Sequence, residues 1–214
     1  MTVRGRFRSS KRRPSIAWES LLERSACYRF EFSPAVIAFY EQPDPIKFYF
    51  QGKLSRYTPD FRLHLNNGET WFVEVKPLKH LQRPDLFQKF LTISDEYRNQ
   101  GYGFIVITDE ELNHFDLESN LTHIHYYRLR ELSDLTIRQA RNWVLQTDSP
   151  TLGKMHEYFG DMTTAFVLIS QQYICLDLTS PFSSGSNLYL PEEDHHATLL
   201  FSYRTAPAFE LCNL

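Results

Sequence analysis

Cysteine is scarce in this chain. Only Cys27, Cys175 and Cys212 occur among 214 residues, and they lie far apart. Their number is odd, and none stands at the short spacing of metal-binding cysteines. The sequence therefore argues against a disulfide scaffold and a cysteine-zinc site. We expect three free thiols in a reducing, cytoplasmic environment.

Long hydrophobic runs are also missing. No apolar stretch approaches the roughly 20 residues that a membrane helix needs. The basic, polar N-terminus lacks the apolar run of a secretory signal, so we expect neither a membrane span nor a leader. Hydrophobic residues still make up 42% of the chain. A globular core can therefore form, in one large domain or two small ones.

The net charge of −3 conceals an asymmetry. Residues 1–128 carry 18 Lys and Arg against 16 Asp and Glu, which gives +2, whereas residues 129–214 carry 5 against 10, which gives −5. The first part is the better candidate to face phosphates. Its basic residues cluster at the start with Gly and Ser between them, which predicts a flexible DNA-binding arm over residues 1–13, although a solvated disordered terminus fits the same composition. The basic residues of this arm are Arg4, Arg6, Arg8, Lys11, Arg12 and Arg13.

Hydrophobic periodicity over residues 14–129 predicts an α/β domain. The pattern indicates helices over 15–30 and 86–100, and a strand buried on both faces over 102–108. Further strand-like segments cover 36–39, 46–50, 57–65, 70–76 and 124–129. We expect a mixed sheet with helices on its faces.

The second part of the chain has a different pattern, with mostly helical periodicity. Three helices are predicted over 136–146, 152–159 and 163–172, followed by strand-like segments at 173–178 and 188–190. Three helices followed by a hairpin are typical of a winged helix, so residues 130–190 are predicted to form a small winged-helix domain. The tail, residues 191–214, carries no assignment.

The residues with the clearest chemical meaning are Asp60, Glu74 and Lys76. Alternate side chains of a strand share a face, so Glu74 and Lys76 project together while Val75 faces the core. The turn signal at 66–69 predicts a hairpin that folds the Asp60 strand back along the Glu74 strand. Two carboxylates and a lysine can then converge at one end of the sheet.

Such a group suits phosphodiester cleavage. Carboxylate oxygens hold Mg²⁺, which neutralises developing charge and acidifies a water, and a lysine can orient that water or stabilise the phosphate. An exposed hairpin with a solvated Glu and Lys would look similar locally. The nuclease interpretation is favoured because Glu74 and Lys76 interrupt an otherwise apolar strand. Glu19 and Glu23, four residues apart on the first predicted helix, can supply another acid.

The chain resembles the TnsA family, the endonuclease subunit of heteromeric, two-subunit transposases, within the restriction-endonuclease-like fold. The resemblance rests on the helix Trp18-Glu19-Ser20-Leu21-Leu22-Glu23, the segment Phe32-Ser33-Pro34-Ala35-Val36 that leads into Glu41-Gln42-Pro43, the strand Tyr57-Thr58-Pro59-Asp60-Phe61, and Val73-Glu74-Val75-Lys76-Pro77. It implies a restriction-endonuclease-like catalytic domain followed by a winged helix.

The resemblance also implies roles for single residues. The family's spacing between the helix glutamate and the Glu-Gln pair selects Glu23 over Glu19. The implied metal ligands are Glu23, Asp60, Glu74 and the backbone carbonyl of Val75, with Mg²⁺ as the metal and Mn²⁺ as a substitute. Together with Lys76, the three acids form the expected catalytic set. Lys79 is expected to contact DNA, although a solvated loop explains it equally well.

The function implied is a cut of the 5′, non-transferred strand at transposon ends. The expected partners are double-stranded DNA, an integrase-like (TnsB-like) transposase subunit and an AAA+ ATPase regulator (TnsC-like), acting at the nucleoid without a membrane. Two alternatives stay open. One is a restriction or repair endonuclease of the same fold, and the other is a catalytically silent subunit that binds DNA ends for assembly.

Overall fold

The computed structural model describes residues 3–192 and 195–212. In this part of the chain the strands are β1 Gly5–Phe7, β2 Ile16–Trp18, β3 Val36–Glu41, β4 Ile46–Phe50, β5 Lys53–Tyr57, β6 Phe61–Leu65, β7 Thr70–Val75, β8 Gly103–Ile107, β9 Tyr203–Thr205 and β10 Glu210–Cys212. The α-helices are α1 Leu21–Phe32, α2 Leu78–Leu81, α3 Pro84–Asn99, α4 Asp109–Leu112, α5 Phe115–His125, α6 Asp134–Gln146, α7 Leu152–Phe159 and α8 Met162–Ser170. None of these helices is long and apolar enough to cross a membrane.

The chain divides into two compact units. The first combines Met1–Asn113 with His196–Leu214, and the second is His114–His195. These units differ from the predicted domains, which place the boundary at 129/130 and set residues 191–214 apart as a tail. The predicted strand over 124–129 extends the first predicted domain to residue 129. Residues up to His125 instead continue helix α5.

A six-stranded mixed sheet organises the first unit, with the order β10-β9-β8-β7-β6-β3. Strands β7 and β8 are parallel, and every other neighbouring pair is antiparallel. Helices flank this sheet, which confirms the predicted α/β class and is consistent with a restriction-endonuclease-like fold. Parallel pairing of β7 with β8 needs a crossover connection, which α2 and α3 supply.

The two faces of the sheet serve different cores because side chains alternate along β7. Val73 and Val75 join a core that includes Phe30 of α1. Phe72 lies on the other face and joins a core with Tyr97 of α3 and Phe104 of β8. The Tyr97 ring stacks on that of Phe72 and also on that of Phe104. Glu74 shares the Phe72 face, so an acid is placed at the border of an aromatic core.

The strand predicted over residues 57–65 is two strands. Tyr57 ends β5, which pairs with β4 in a separate hairpin, and Phe61 begins β6 in the main sheet. Pro59 lies between them and has no N–H for a sheet ladder, so the chain changes sheets there. Tyr57 and Asp60 are therefore close in sequence, but Tyr57 belongs to the β4–β5 hairpin and Asp60 adjoins the main sheet.

The first predicted helix begins too early. Ile16–Trp18 is a strand that pairs with Gly5–Phe7, and helix α1 starts after the N-cap Ser20. The alternation of buried Ile16 and exposed Ala17 fits a strand as well as a helix turn. Gly5 is required in this pair because a Cβ atom there would lie 2.4 Å from Trp18 Cζ2.

The N-terminal segment is not a flexible arm over its described residues, 3–13. Buried Glu31 accepts hydrogen bonds from Ser9 Oγ at 2.6 Å and from Ser10 N at 3.0 Å. Lys11 Nζ donates to two carbonyls at the end of α1, Phe30 O and Ser33 O, at 2.8 and 2.7 Å. A cation is favourable at a helix C-terminus, which explains why this basic segment docks there. The first two residues of the predicted arm lie outside the described residues.

The tail left unassigned by the sequence extends the sheet. Strand β9 pairs with β8, and β10 pairs with β9 at the edge. Phe201 is buried against Phe30, with ring centroids 5.3 Å apart. The tail therefore contributes to the core of the first unit.

The second unit contains the three helices predicted for it, α6, α7 and α8, preceded by α5. The predicted strands at 173–178 and 188–190 meet only at an isolated antiparallel bridge, Cys175 with Tyr189, in the described structure. A winged helix is therefore not confirmed for this region.

Phe201→Ala is expected to reduce the free energy of unfolding by about 3–5 kcal/mol, because it removes a buried ring and leaves a cavity. Urea unfolding measures this loss. The control is Leu211→Ala on β10, where the side chain is 46% exposed, and it should cost less than about 1 kcal/mol. Equal and small losses in both variants would contradict the placement of the tail in the core.

Candidate active site

Asp60 and Glu74 lie side by side on one face of the sheet. Phe61 is opposite Val73 in the β6–β7 register. Asp60, the residue before Phe61, therefore lies next to Glu74, the residue after Val73. The Gln42 amide donates to Asp60 O at 2.9 Å and continues the β3–β6 ladder to this point. The sequence prediction that the hairpin brings these two acids together agrees with this register.

The Asp60 carboxylate is anchored to β7. Its Oδ2 accepts a hydrogen bond from the Val75 amide at 2.8 Å. Burial and, second, the charge of Glu74 raise the pKa of Asp60 to about 8, although the Val75 amide and Lys76 favour the ionised form. Glu74 is buried and Asp60 is half-buried, and when both are ionised beside one lysine they carry an excess of negative charge that a cation would relieve.

The Glu74 carboxylate is held between two donors. Lys76 Nζ lies 2.8 Å from Oε1, and the Tyr57 hydroxyl donates to Oε2. The Glu74 side chain is only 4% exposed, whereas that of Lys76 is 35% exposed. Burial lowers the pKa of Lys76, but the charge and hydrogen bond of Glu74 outweigh it and raise this pKa overall, so the ammonium stays charged.

Tyr57 belongs to the site through its hydrogen bond to Glu74, although no sequence pattern predicts a role for it. Burial, followed by the charge and hydrogen bond of Glu74, raises the pKa of Tyr57 well above its ordinary value, so it remains a neutral donor. Tyr97 lies near the same acid, since burial and then the charge of Glu74 raise its pKa. Its hydroxyl is buried without a hydrogen-bond partner in the described structure. Neither tyrosine carries a local sequence signal, because β5 and α3 meet β7 only in the folded chain.

Glu23 occupies the first turn of α1 and serves as a helix cap. Its carboxylate accepts hydrogen bonds from the Glu19 amide at 2.7 Å and from Ser20 Oγ at 2.9 Å. The same Ser20 oxygen accepts the Glu23 amide at 3.1 Å, a reciprocal arrangement of the capping-box kind. The charge of Glu23 nevertheless contributes to the raised pKa values of both Asp60 and Lys76. Glu23 is therefore within electrostatic reach of the paired acids, although its hydrogen bonds hold the helix start.

The donor chemistry of the paired acids fits a hard divalent cation, which prefers carboxylate oxygens. Among residues 3–192 and 195–212, no group of three or more His, Cys, Asp or Glu side chains is already arranged around a common point. The Val75 amide is bonded to Asp60, and the predicted role of the Val75 carbonyl stays a prediction. A metal set of Glu23, Asp60 and Glu74 would require Glu23 to exchange its capping bonds for the ion.

The basic residues predicted to bind DNA fall into two groups. Lys11 and Arg12 make internal contacts, the latter with Glu41 at 2.5 Å. The exposed members are Arg4, Arg6, Arg8, Arg13 and Lys79. The first unit carries 18 Lys and Arg against 15 Asp and Glu, and the second carries 5 against 11. This charge distribution keeps the first unit as the better candidate for DNA, and the individual contacts remain predictions.

The chain is also similar in sequence to a known protein family. Residues 33–109 match the family model described as the TnsA-like endonuclease N terminal domain. The match confirms the predicted family resemblance and supports a nuclease of the transposase-associated type. It includes Asp60, Glu74 and Lys76, whereas Glu23 precedes it. No curated protein matches the chain.

Asp60→Asn is expected to stabilise the metal-free protein, and increasingly so as the pH rises from 5 to 8. An unfolded aspartate has a pKa near 3.9, and the folded value is about 8. Between these values the folded state binds a proton that the unfolded state has lost, so wild-type stability falls with rising pH by at most about 1.4 kcal/mol per pH unit. Asparagine is neutral and can still accept from the Val75 amide.

Urea unfolding in the presence of a chelator, at several pH values, measures this difference. Asp85→Asn is the matched control, since Asp85 is exposed and bonded to Arg83. The control should give no pH-dependent gain. A constant difference between Asp60→Asn and wild type across this range would contradict the buried-charge account.

Proposed function

From the TnsA-like endonuclease domain at residues 33–109, we propose that this chain is a metal-dependent DNA endonuclease that cuts the 5′, non-transferred strand at transposon ends. The observation that carries the proposal is the pair of buried Glu74 and half-buried Asp60 beside Lys76, within that domain. An acid whose pKa is raised by burial and then by a second acid is typical of a functional site.

Asp60 and Glu74 would hold Mg²⁺ or Mn²⁺, with Glu23 and the Val75 carbonyl as further ligands. The ion would supply positive charge to the scissile phosphate and acidify the attacking water. Tyr57 and Lys76 fix the orientation of the Glu74 carboxylate from both of its oxygens. Because the Lys76 ammonium is charged and partly exposed, it can donate a hydrogen bond to a phosphate oxygen.

The proposed partners follow from the same family. They are an integrase-like transposase subunit, which cuts the 3′ strand, and an AAA+ ATPase regulator. The acidic second unit favours protein docking over DNA contact, because a net negative surface repels phosphates. Cleavage at sites unrelated to transposon ends would favour a restriction or repair enzyme instead.

Asp60→Asn and Glu74→Gln are each expected to reduce 5′-strand cleavage by roughly 100-fold or more, because each removes a charged oxygen ligand. The assay uses strand-labelled transposon-end duplexes with the partner transposase, the ATPase and Mg²⁺. The 3′ cut should persist, since another subunit makes it. Full 5′ cutting by a folded Asp60→Asn protein would reject the assignment, and Asp85→Asn should cut normally.

Metal binding has a readout that does not depend on cleavage. Mg²⁺ or Mn²⁺ should raise the melting temperature of the wild-type protein near pH 8, because a ligand that binds only the folded state stabilises it. Asp60→Asn should lose this response.

Glu23→Gln is expected to abolish most cleavage with little change in stability. Glutamine at this helix position keeps an acceptor for the capping bonds, so the loss of charge is tested separately from the loss of the cap. Glu19→Gln is the matched control, since Glu19 lies just before the N-cap of the same helix, and it should cut nearly normally. Cleavage rates and melting temperatures of both variants decide the question. Normal cutting by Glu23→Gln would remove Glu23 from the catalytic set.

A further inference from the structure

A basic and aromatic patch lies beside the paired acids, at the β3 edge of the sheet. We call it the Tyr40 patch, and it consists of Tyr40, Arg12, Arg62 and His64. Tyr40 of β3 is directly opposite Arg62 of β6, so both project from the same face. Arg62 is also opposite Phe72 of β7, which places it on the face that carries Glu74.

Arg62 stands at a defined separation from the proposed reaction centre. It follows Asp60 by two residues, and the β3–β6 ladder is continuous through both. Residues two apart in a strand project from the same face, and their Cα atoms are about 6.6 Å apart along the strand. This separation is comparable to that between successive phosphates of one DNA strand. A DNA strand that places one phosphate at Asp60 can therefore place the next phosphate at Arg62.

The guanidinium of Arg62 has no anionic partner in the part of the chain that the structure describes. It makes no ion pair with any described carboxylate, and its half-buried side chain contains an Nε that is buried without a hydrogen-bond partner. Arg12, in the same patch, differs because Glu41 neutralises it. Burying an unpaired charged donor is costly, so the Arg62 environment favours an anion that can accept from the guanidinium.

The Tyr40 ring holds the guanidinium in place. The Cζ atom of Arg62 lies 4.8 Å from the ring centroid, and that of Arg12 lies 4.6 Å from it. Stacking on an aromatic ring restricts a long side chain while leaving its N–H groups available. Burial, followed by the charge of Arg62, lowers the pKa of His64, so the imidazole is neutral near pH 7 and Arg62 remains the unpaired cation of the patch.

We propose that Arg62 binds the DNA backbone phosphate adjacent to the scissile phosphate. This inference rests on the proposed nuclease function and adds a substrate-positioning contact to it. Arginine suits this role because its planar donors match phosphate oxygens, and a contact to the backbone positions the strand without reading its sequence. Tyr40 orients Arg62 through the stacking of its ring.

The first test measures binding of the full-length protein to a short duplex in Ca²⁺, across a salt series. Arg62→Gln should weaken binding roughly tenfold or more at low salt, and the salt dependence should lose about one phosphate contact, a slope change near 0.9. Arg62→Lys should recover part of the affinity. Arg98→Gln, an exposed arginine on α3 that pairs with Asp95, is the matched control and should bind as wild type. Melting temperatures verify folding of each variant.

The second test locates the contact. Cleavage is compared on duplexes that carry a neutral methylphosphonate at the phosphate on either side of the cut. For wild type and Arg98→Gln, one of these substitutions should lower kcat/KM roughly tenfold. Arg62→Gln should show this loss on the natural duplex and no further loss on the modified one, the non-additivity expected of two groups in contact.

The outcomes separate the two proposals. Wild-type affinity and salt slope in folded Arg62→Gln, or an undiminished methylphosphonate effect in that variant, would overturn the Arg62 contact and leave the nuclease intact. Failure of the wild-type protein to bind or cut DNA would reject the nuclease proposal and the phosphate contact together.

Discussion

The antiparallel register of β6 and β7 is the constraint on which the rest of the site depends. It places Asp60 beside Glu74 on the same face, and the Val75 amide then fixes the Asp60 carboxylate. A slip of one residue would turn one strand's side chains to the opposite face and separate the two acids. The hydrophobic residues of β6, which must face the α1 core, exclude that slip. Core packing and the candidate chemistry are therefore set by one register.

Removing the buried Glu74 and the half-buried Asp60 from water is unfavourable, and the surrounding structure partly offsets this cost. Tyr57 and Lys76 bond the oxygens of Glu74, while the aromatic core of Phe72 and Tyr97 limits solvent access from one side. Burial and, second, the charge of Glu74 raise the pKa of Asp60. A site that stays electrostatically incomplete in the folded protein is suited to a cation and to the phosphates that the cation attracts.

The parts of the fold that local patterns missed are all held by contacts distant in sequence. The N-terminal segment is basic and rich in serine, which resembles a disordered tail, yet buried Glu31 and the C-terminal carbonyls of α1 bind it. Strands β9 and β10 are three residues each and gain their place from the edge of β8. Periodicity cannot identify such short segments, because their stability comes from the surface they join.

The sequence by itself determined the α/β class, the β6–β7 hairpin and the identity of Asp60, Glu74 and Lys76, because strand alternation and turn chemistry are local properties. It also pointed to the family through the motifs between Trp18 and Pro77, and the family match over residues 33–109 confirms that resemblance. Only the tertiary structure decided that Tyr57 bonds Glu74, that Glu23 caps its own helix, and that Arg62 has no anionic partner among residues 3–192 and 195–212. These facts depend on which elements meet across the sheet and on how completely each side chain is buried. Neither property can be read from neighbours along the chain.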